Sequence, residues 1–236
     1  VVLSDIHPER LQQTLSAFQQ EFGKDVVRAV PLNVTDASSI QKAFQQMVVQ
    51  FGGIDVLVNN AGISISKTLL EHTESDWDQL YAILAKGQFL VTQQAVALFR
   101  QQGMGGDIVN IVSKNALAAG PNNTAYGSAK AAQLHLSRLL AAELGPDHVR
   151  VNVINPDAVI AESNIWAGGW AEGRAKAYGI TVEELPAYYA RRTLLNEIIY
   201  PEDIAKACFV LVGGALSKST GNMLNVDGGL PQSFPR

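Results

Sequence analysis

Ile108-Val109-Asn110-Ile111-Val112-Ser113 is followed, thirteen positions after its serine, by Tyr126-Gly127-Ser128-Ala129-Lys130. The first stretch is an apolar run opened by the turn residues Gly105 and Gly106, which is the pattern of a buried strand. It delivers a hydroxyl at the strand's C-terminal end, where open α/β sheets bind ligands. The second stretch sets a tyrosine and a lysine four residues apart, so that on one helix they share a face and can act as a single acid–base device. A phenol has a reference pKa of about 10, so exchanging a proton near pH 7 takes about 4 kcal/mol of extra stabilisation of the phenolate. One ammonium about 4 Å away, at an effective dielectric of about 20, contributes roughly that much. Tyr-x-x-x-Lys is also a common surface pair on helices. The neighbouring stretches decide between the two.

Upstream, Ile54-Asp55-Val56-Leu57-Val58 reads as a second buried strand and runs into Asn59-Asn60-Ala61-Gly62. Downstream stand Val149-Arg150-Val151-Asn152-Val153-Ile154-Asn155-Pro156 and, near the end, Asn225-Val226-Asp227-Gly228-Gly229. Taken in this order and spacing, from Val1 to about Gly229, the chain resembles the short-chain dehydrogenase/reductase family. The resemblance implies an α/β fold with a doubly wound parallel, Rossmann-like sheet. It implies Ser113, Tyr126 and Lys130 as the catalytic set. Tyr126 would exchange a proton with the substrate oxygen, Ser113 would hold that oxygen, and Lys130 would lower the tyrosine's pKa and bond the nicotinamide ribose. Cofactor contacts are implied at Asp5, Asn33, Val34, Asn60, Ala61, Gly62, Tyr126, Lys130, Pro156 and Val159.

The 236 residues, with a net charge of −4 and a pI near 5.6, fit one domain able to bury a large core. No basic footprint invites nucleic acid. The lone Cys208 excludes an internal disulfide and reads as an inert core thiol in a reducing compartment. No apolar run approaches the span of a bilayer and no signal peptide is visible, so a cytoplasmic protein without a membrane partner is expected. No metal site is expected.

The chain opens on Val1-Val2-Leu3-Ser4-Asp5, which reads as the end of a strand. The family's Thr-Gly-x-x-x-Gly-x-Gly turn, whose amides meet the cofactor's pyrophosphate, has no counterpart in the sequence. The resemblance therefore implies a missing N-terminal βα unit, a sheet with a gap or a refilled centre, and weak binding of NAD by this chain alone. Asp5 ends what would be the family's second strand, where a carboxylate accepts from ribose hydroxyls and repels a 2′-phosphate. That favours NAD over NADP; the alternative is a helix cap before Pro8. Leu11, Leu15, Phe18 and Phe22 form an apolar helix face, and Val26 to Leu32 reads as a further strand. Asn33 stands where the family usually has aspartate beside the adenine.

Thr35-Asp36 cap the next helix, whose Ile40, Ala43, Phe44, Met47, Val48 and Phe51 repeat at core spacing. The helices from about Trp77 to Gln102 and after Thr124 are apolar on more than one side, which calls for a cover besides the sheet. A homodimer or homotetramer, paired through these helices as in the family, is the expectation. Leu84 occupies the position of the family's water-holding asparagine, leaving a three-residue Ser-Tyr-Lys set.

Lys114, Asn115 and Asp157 are the candidate substrate contacts. The first two follow the serine and are polar for that place; Asp157 replaces a family glycine, and Ala161 a family threonine. Solvated loop residues are the alternative for Lys114 and Asn115. Residues 160–198 lie where the family keeps its substrate lid. They carry Trp166, Trp170, Tyr178, Tyr188, Tyr189, Arg174, Arg191 and Arg192, with two arginines able to take a carboxylate or phosphate, or else solvated helix charges. With the terminal Phe-Pro-Arg, these features are most similar to the dehydrogenase domain of bifunctional rhamnulose-phosphate aldolase/short-chain dehydrogenase proteins. That resemblance implies a small alcohol or aldehyde substrate, lactaldehyde-like. A non-catalytic fragment retaining the fold is the other class, and a halohydrin-type lyase is disfavoured because Lys130 is present.

Overall fold

A computed structural model describes residues 1–159 and 170–234. The strands are β1 (Val2–Leu3), β2 (Arg28–Ala29), β3 (Val56–Asn59), β4 (Gly106–Ile111), β5 (Val149–Pro156) and β6 (Met223–Val226). Between them run α1 (Pro8–Phe22), α2 (Ala37–Phe51), α3 (Glu74–Tyr81), α4 (Gln88–Gln102), α5 (Thr124–Leu144), α6 (Trp170–Tyr178), α7 (Leu185–Ala190) and α8 (Pro201–Val212). All pairings are parallel: β1 with β2, and β3-β4-β5-β6 in that order. The two ladders are separate, which is the break expected where the family has a central strand.

Parallel pairing brings the C-terminal ends of β3 to β6 to one edge, so Asn60, Ser113, Asp157 and Asp227 fall on the same side. The core beneath is built by Ile40 and Phe44 of α2, Val91 and Phe99 of α4, and Ile108 and Val151 of the sheet. A capping box at Thr73, with Asp76 answering, starts α3. Asp36 caps α2 by accepting from Ser38 N at 2.8 Å. Arg150 fastens the far side, donating to Asp107 Oδ2 at 2.7 Å, Leu211 O at 2.9 Å, Leu216 O at 2.9 Å and Ser219 O at 3.3 Å.

Several expectations are corrected. The β3 strand is not buried on both faces: Val56 and Val58 are 39% and 43% exposed, because β3 is an edge of its ladder. Of the α1 face only Leu11 is buried, while Phe18 and Phe22 remain exposed, their rings 5.7 Å apart. That helix packs on a two-stranded ladder too narrow to cover it. The helix expected from Trp77 begins at Glu74 and is interrupted by a π-helical turn, Ala82–Gly87. Glu74–Gln102 as a whole is long and apolar enough to cross a membrane by length and composition. Here it serves as a core helix, burying Leu80, Leu84, Val91, Ala95 and Phe99.

A buried polar chain crosses from sheet to helices. Asn59 Nδ2 donates to Asn110 Oδ1 at 2.8 Å and to Thr92 Oγ1 at 3.0 Å, and Asn110 Nδ2 donates to Ser137 Oγ at 2.8 Å. Gln88 Nε2 donates to the same hydroxyl at 3.3 Å, and Gln133 Nε2 to Gln88 Oε1 at 2.8 Å. Each buried amide thereby gains a partner that water cannot supply. The register of α4 and α5 over β4 follows from these bonds, and with it the position of Lys130 on α5.

Candidate active site

Tyr126 and Lys130 sit one turn apart on α5, both buried, with the Lys130 Nζ 5.8 Å from the centre of the phenol ring. Lys130 Nζ donates to Ile111 O at 3.1 Å, so the ammonium is tied to the last residue of β4. Ser113, two residues beyond, is buried, and its side chain hydrogen-bonds that of Tyr126. Asn115 N donates to Ser113 Oγ at 3.2 Å, which fixes the serine's rotamer. The structure thus brings Ser113, Tyr126 and Lys130 together.

Their electrostatics at rest differ from the expected pattern. Burial pushes the Tyr126 phenol up to about 12; the Ser113 hydrogen bond opposes this and the negative Asp157 adds to it. Burial brings Lys130 down to about 7. Lowering of the tyrosine by the lysine is not among these effects. The low-dielectric surroundings favour the neutral form of each group.

The substrate candidates form a charged cluster beside the phenol. Lys114 Nζ lies 3.8 Å from Asp157 Oδ1, and an Arg192 terminal nitrogen 3.6 Å from Asp157 Oδ2. Burial raises the Asp157 carboxyl against the pull of Lys114 and Arg192. Lys114 is itself lowered by burial, with Asp157 opposing. A solvated loop lysine is therefore not what the structure has. Arg191 is exposed, whereas Arg174 is buried, donates to Asn123 Oδ1 at 3.1 Å and to Tyr178 Oη at 3.5 Å, and stands 5.0 Å above the Trp170 ring. Arg174 stood in the sequence among the lid's charged residues, with a solvated helix charge as the alternative, and Asn123 was not singled out at all. The signal for Asn123 is its placement just before Thr124, at the mouth of the helix that carries Tyr126. Trp166, Ala161 and the first part of the expected lid lie outside the described residues, as do Pro235 and Arg236.

The cofactor candidates divide by end. Asn60, Ala61 and Gly62 are exposed at the end of β3, and a Cβ on Gly62 would stand 3.2 Å from Leu84 Cδ2. Asp5 Oδ1 accepts from His7 N at 2.7 Å, so the aspartate does support the start of α1 while its other oxygen stays available. Asn33 Oδ1 already accepts from Thr35 N at 3.0 Å and Thr35 Oγ1 at 2.8 Å. It is not free to receive an adenine amino group, while its amide nitrogen can still donate to an adenine ring nitrogen. Val34 packs on Gly87, where a Cβ would come within 2.9 Å of a Val34 methyl. Pro156 ends β5 and Val159 follows it.

The family model described as enoyl-(acyl carrier protein) reductase matches residues 1–231. The chain belongs to the short-chain dehydrogenase/reductase family. Over 236 residues it is 40% identical to the uncharacterized oxidoreductase YuxG of Bacillus subtilis, covering 100% of this chain and 34% of that protein. The chain thus spans about a third of that relative's length. It is 34% identical over 204 residues to the D-threitol dehydrogenase of Mycolicibacterium smegmatis, covering 86% of this chain and 72% of the relative. A putative gluconate dehydrogenase from Agrobacterium tumefaciens has a similar structure, with a TM-score of 0.85 at 26% identity, over 99% of this chain and 86% of that one.

Next to Asp157, Ala158 takes the left-handed conformation, with φ 47°. An L-residue pays roughly 1–2 kcal/mol there. Ala158→Gly is expected to raise stability by about 1 kcal/mol, and the melting temperature by about 2–4 °C for a domain of this size. Unchanged or lowered melting would show that the turn is not strained.

Proposed function

We propose that the chain is a nicotinamide-dependent oxidoreductase acting on a small hydroxy or aldehyde substrate. The observation carrying this reading is the joint burial of Ser113, Tyr126 and Lys130 at the sheet edge where parallel strands end. The nicotinamide, when bound, supplies the hydride acceptor or donor. Tyr126 takes or gives the substrate hydroxyl proton, and Ser113 holds the same oxygen. Lys130, with one N–H on Ile111 O, has the others for ribose hydroxyls. Asn60, Ala61, Gly62, Pro156 and Val159 border the nicotinamide half; Asp5, Asn33 and Val34 border the adenosine half. The available oxygen of Asp5 supports NAD over NADP.

The substrate in this reading is lactaldehyde-like, from sugar breakdown, in a cytoplasmic homodimer or homotetramer. Exposed Phe89 on α4 and Leu139 on α5 support pairing through those helices. Residues 1–236 are read as one dehydrogenase domain, with 160–198 as its lid.

The test is cofactor titration with both nucleotides, followed by kinetics. NAD should be preferred over NADP by at least about tenfold, roughly 1.4 kcal/mol, and Asp5→Ser should relax that preference. Equal efficiency with the two nucleotides in the unmutated protein removes the role of Asp5. Absence of nicotinamide binding at millimolar concentration even with the family's glycine turn joined ahead of Val1 removes the dehydrogenase reading and leaves a non-catalytic domain.

A further inference from the structure

We propose that the substrate of this site carries a carboxylate or phosphate, received by Lys114, Arg192 and Arg174. The inference rests on the dehydrogenase reading and sets an anionic hydroxy or aldehyde substrate in place of a neutral lactaldehyde-like one.

Three cations meet beside the phenol with one uncommitted carboxylate, Asp157, among the described residues there. Lys114 has 14% of its side chain exposed and Arg192 28%, while Arg174 as a residue is 7% exposed. Lys114 feels the charges of both arginines, and Tyr126 that of Asp157, so the cluster is continuous with the reacting phenol. Asp227, the other buried acid nearby, is already committed: it accepts from Gly229 N at 2.9 Å, Leu230 N at 3.3 Å and the Ser233 hydroxyl. Glu197 borders the cleft but is exposed.

Asp157 does not satisfy the cations. Its separations of 3.8 Å and 3.6 Å exceed the roughly 2.7–2.9 Å of a charge-assisted hydrogen bond, and its buried Oδ2 makes no hydrogen bond. Arg174 Nε is likewise buried without a hydrogen-bond partner among the described residues. Both arginines are held by aromatic rings, Arg174 over Trp170 and Arg192 over Tyr189 at 4.6 Å. Pre-positioned guanidinium forks lose little freedom on meeting a planar carboxylate or a phosphate. Buried like charges repel, and an incoming anion relieves the repulsion. A neutral polyol would leave those donors unpaired, and selection for a polar group follows from that cost.

The experiment uses two matched pairs with the protein in the presence of NAD: lactate against propane-1,2-diol, and glycerol 3-phosphate against glycerol. Calorimetric titration measures affinity, and nicotinamide absorbance in the same samples measures hydride transfer. At least one anion is expected to bind tenfold or more tightly than its neutral partner; the pair that does so tells carboxylate from phosphate. Arg192→Gln and Lys114→Gln should each reduce that ratio by about tenfold, with circular dichroism verifying the fold. They avoid the more deeply buried Arg174, whose loss could prevent folding. Equal binding within both pairs, no binding of any of the four, or a ratio unchanged in both variants overturns the inference. Anion preference without turnover keeps the anion site and counts against the dehydrogenase reading. Turnover of neutral and charged partners alike does the reverse.

Discussion

Replacing Tyr126 by phenylalanine lowers kcat by about 10²- to 10⁴-fold while nicotinamide affinity stays within a few-fold. The substitution removes one oxygen from a fully buried helix face and leaves the ring in place against Leu80, Leu84 and Ala129. Packing is thus preserved, and the lost atom is the one that hydrogen-bonds Ser113. Ser113 cannot take over the proton transfer, since a serine hydroxyl is a still weaker acid. Because burial holds the phenol up at about 12, its work depends on charge gathered only when substrate and nucleotide are in place. Single-turnover measurement of hydride transfer in both proteins checks the prediction. Retention of more than about a tenth of the wild-type rate removes Tyr126 as the proton-transfer group.

The second large effect is on stability. Lys130→Met is expected to stabilise the fold by about 2 kcal/mol or more below pH 7, a gain lost as the pH rises toward about 10.5, above which the missing bond to Ile111 O leaves the variant the less stable. Lys130 titrates at about 7 in the folded chain against an ordinary 10.5. Between those values the unfolded chain binds the extra proton, so wild-type stability rises with pH across the window. Below pH 7 both states are charged and the folded one carries the whole desolvation cost, on the order of 4 kcal/mol before the loss of the bond to Ile111 O is set against it. A methionine of similar length has no charge to desolvate. Urea denaturation of both proteins at pH 6, 8.5 and 10.5 decides the matter. A difference independent of pH shows that Lys130 is not titrating in this window.

The elements that position the site were legible because each depends on local pattern. The strand leading to Ser113, the shared helix face of Tyr126 and Lys130, and the cap at Asp36 need only periodicity and a few polar side chains. What was not legible depends on neighbours distant in sequence. Exposure of Val56 and Val58 follows from which strands pair with β3, and nothing in an apolar alternation states that. The π-turn at Ala82–Gly87 has no signature beyond Gly87, whose missing Cβ leaves room for Val34 of a different element. Arg174 looks like a solvated helix charge until its partners, Asn123 and the Trp170 ring, are seen. Asn33 was assigned from the family resemblance, but its carbonyl is consumed two residues away by Thr35. Local competition of this kind is common for asparagine and cannot be excluded by spacing.

The guanidinium of Arg150 has a kinetic meaning as well as a structural one. Its four bonds reach residues 43, 61, 66 and 69 positions away, so the bond to Asp107 waits for the crossover before β5 and the other three for the crossover after it. Every strand pair among the described residues is parallel, and no hairpin among them offers an early nucleus. Such a chain pays loop-closure entropy before its contacts repay it, and folds slowly for its size. Arg150 therefore acts as a late latch, one that governs how long the finished sheet survives more than how quickly it is assembled.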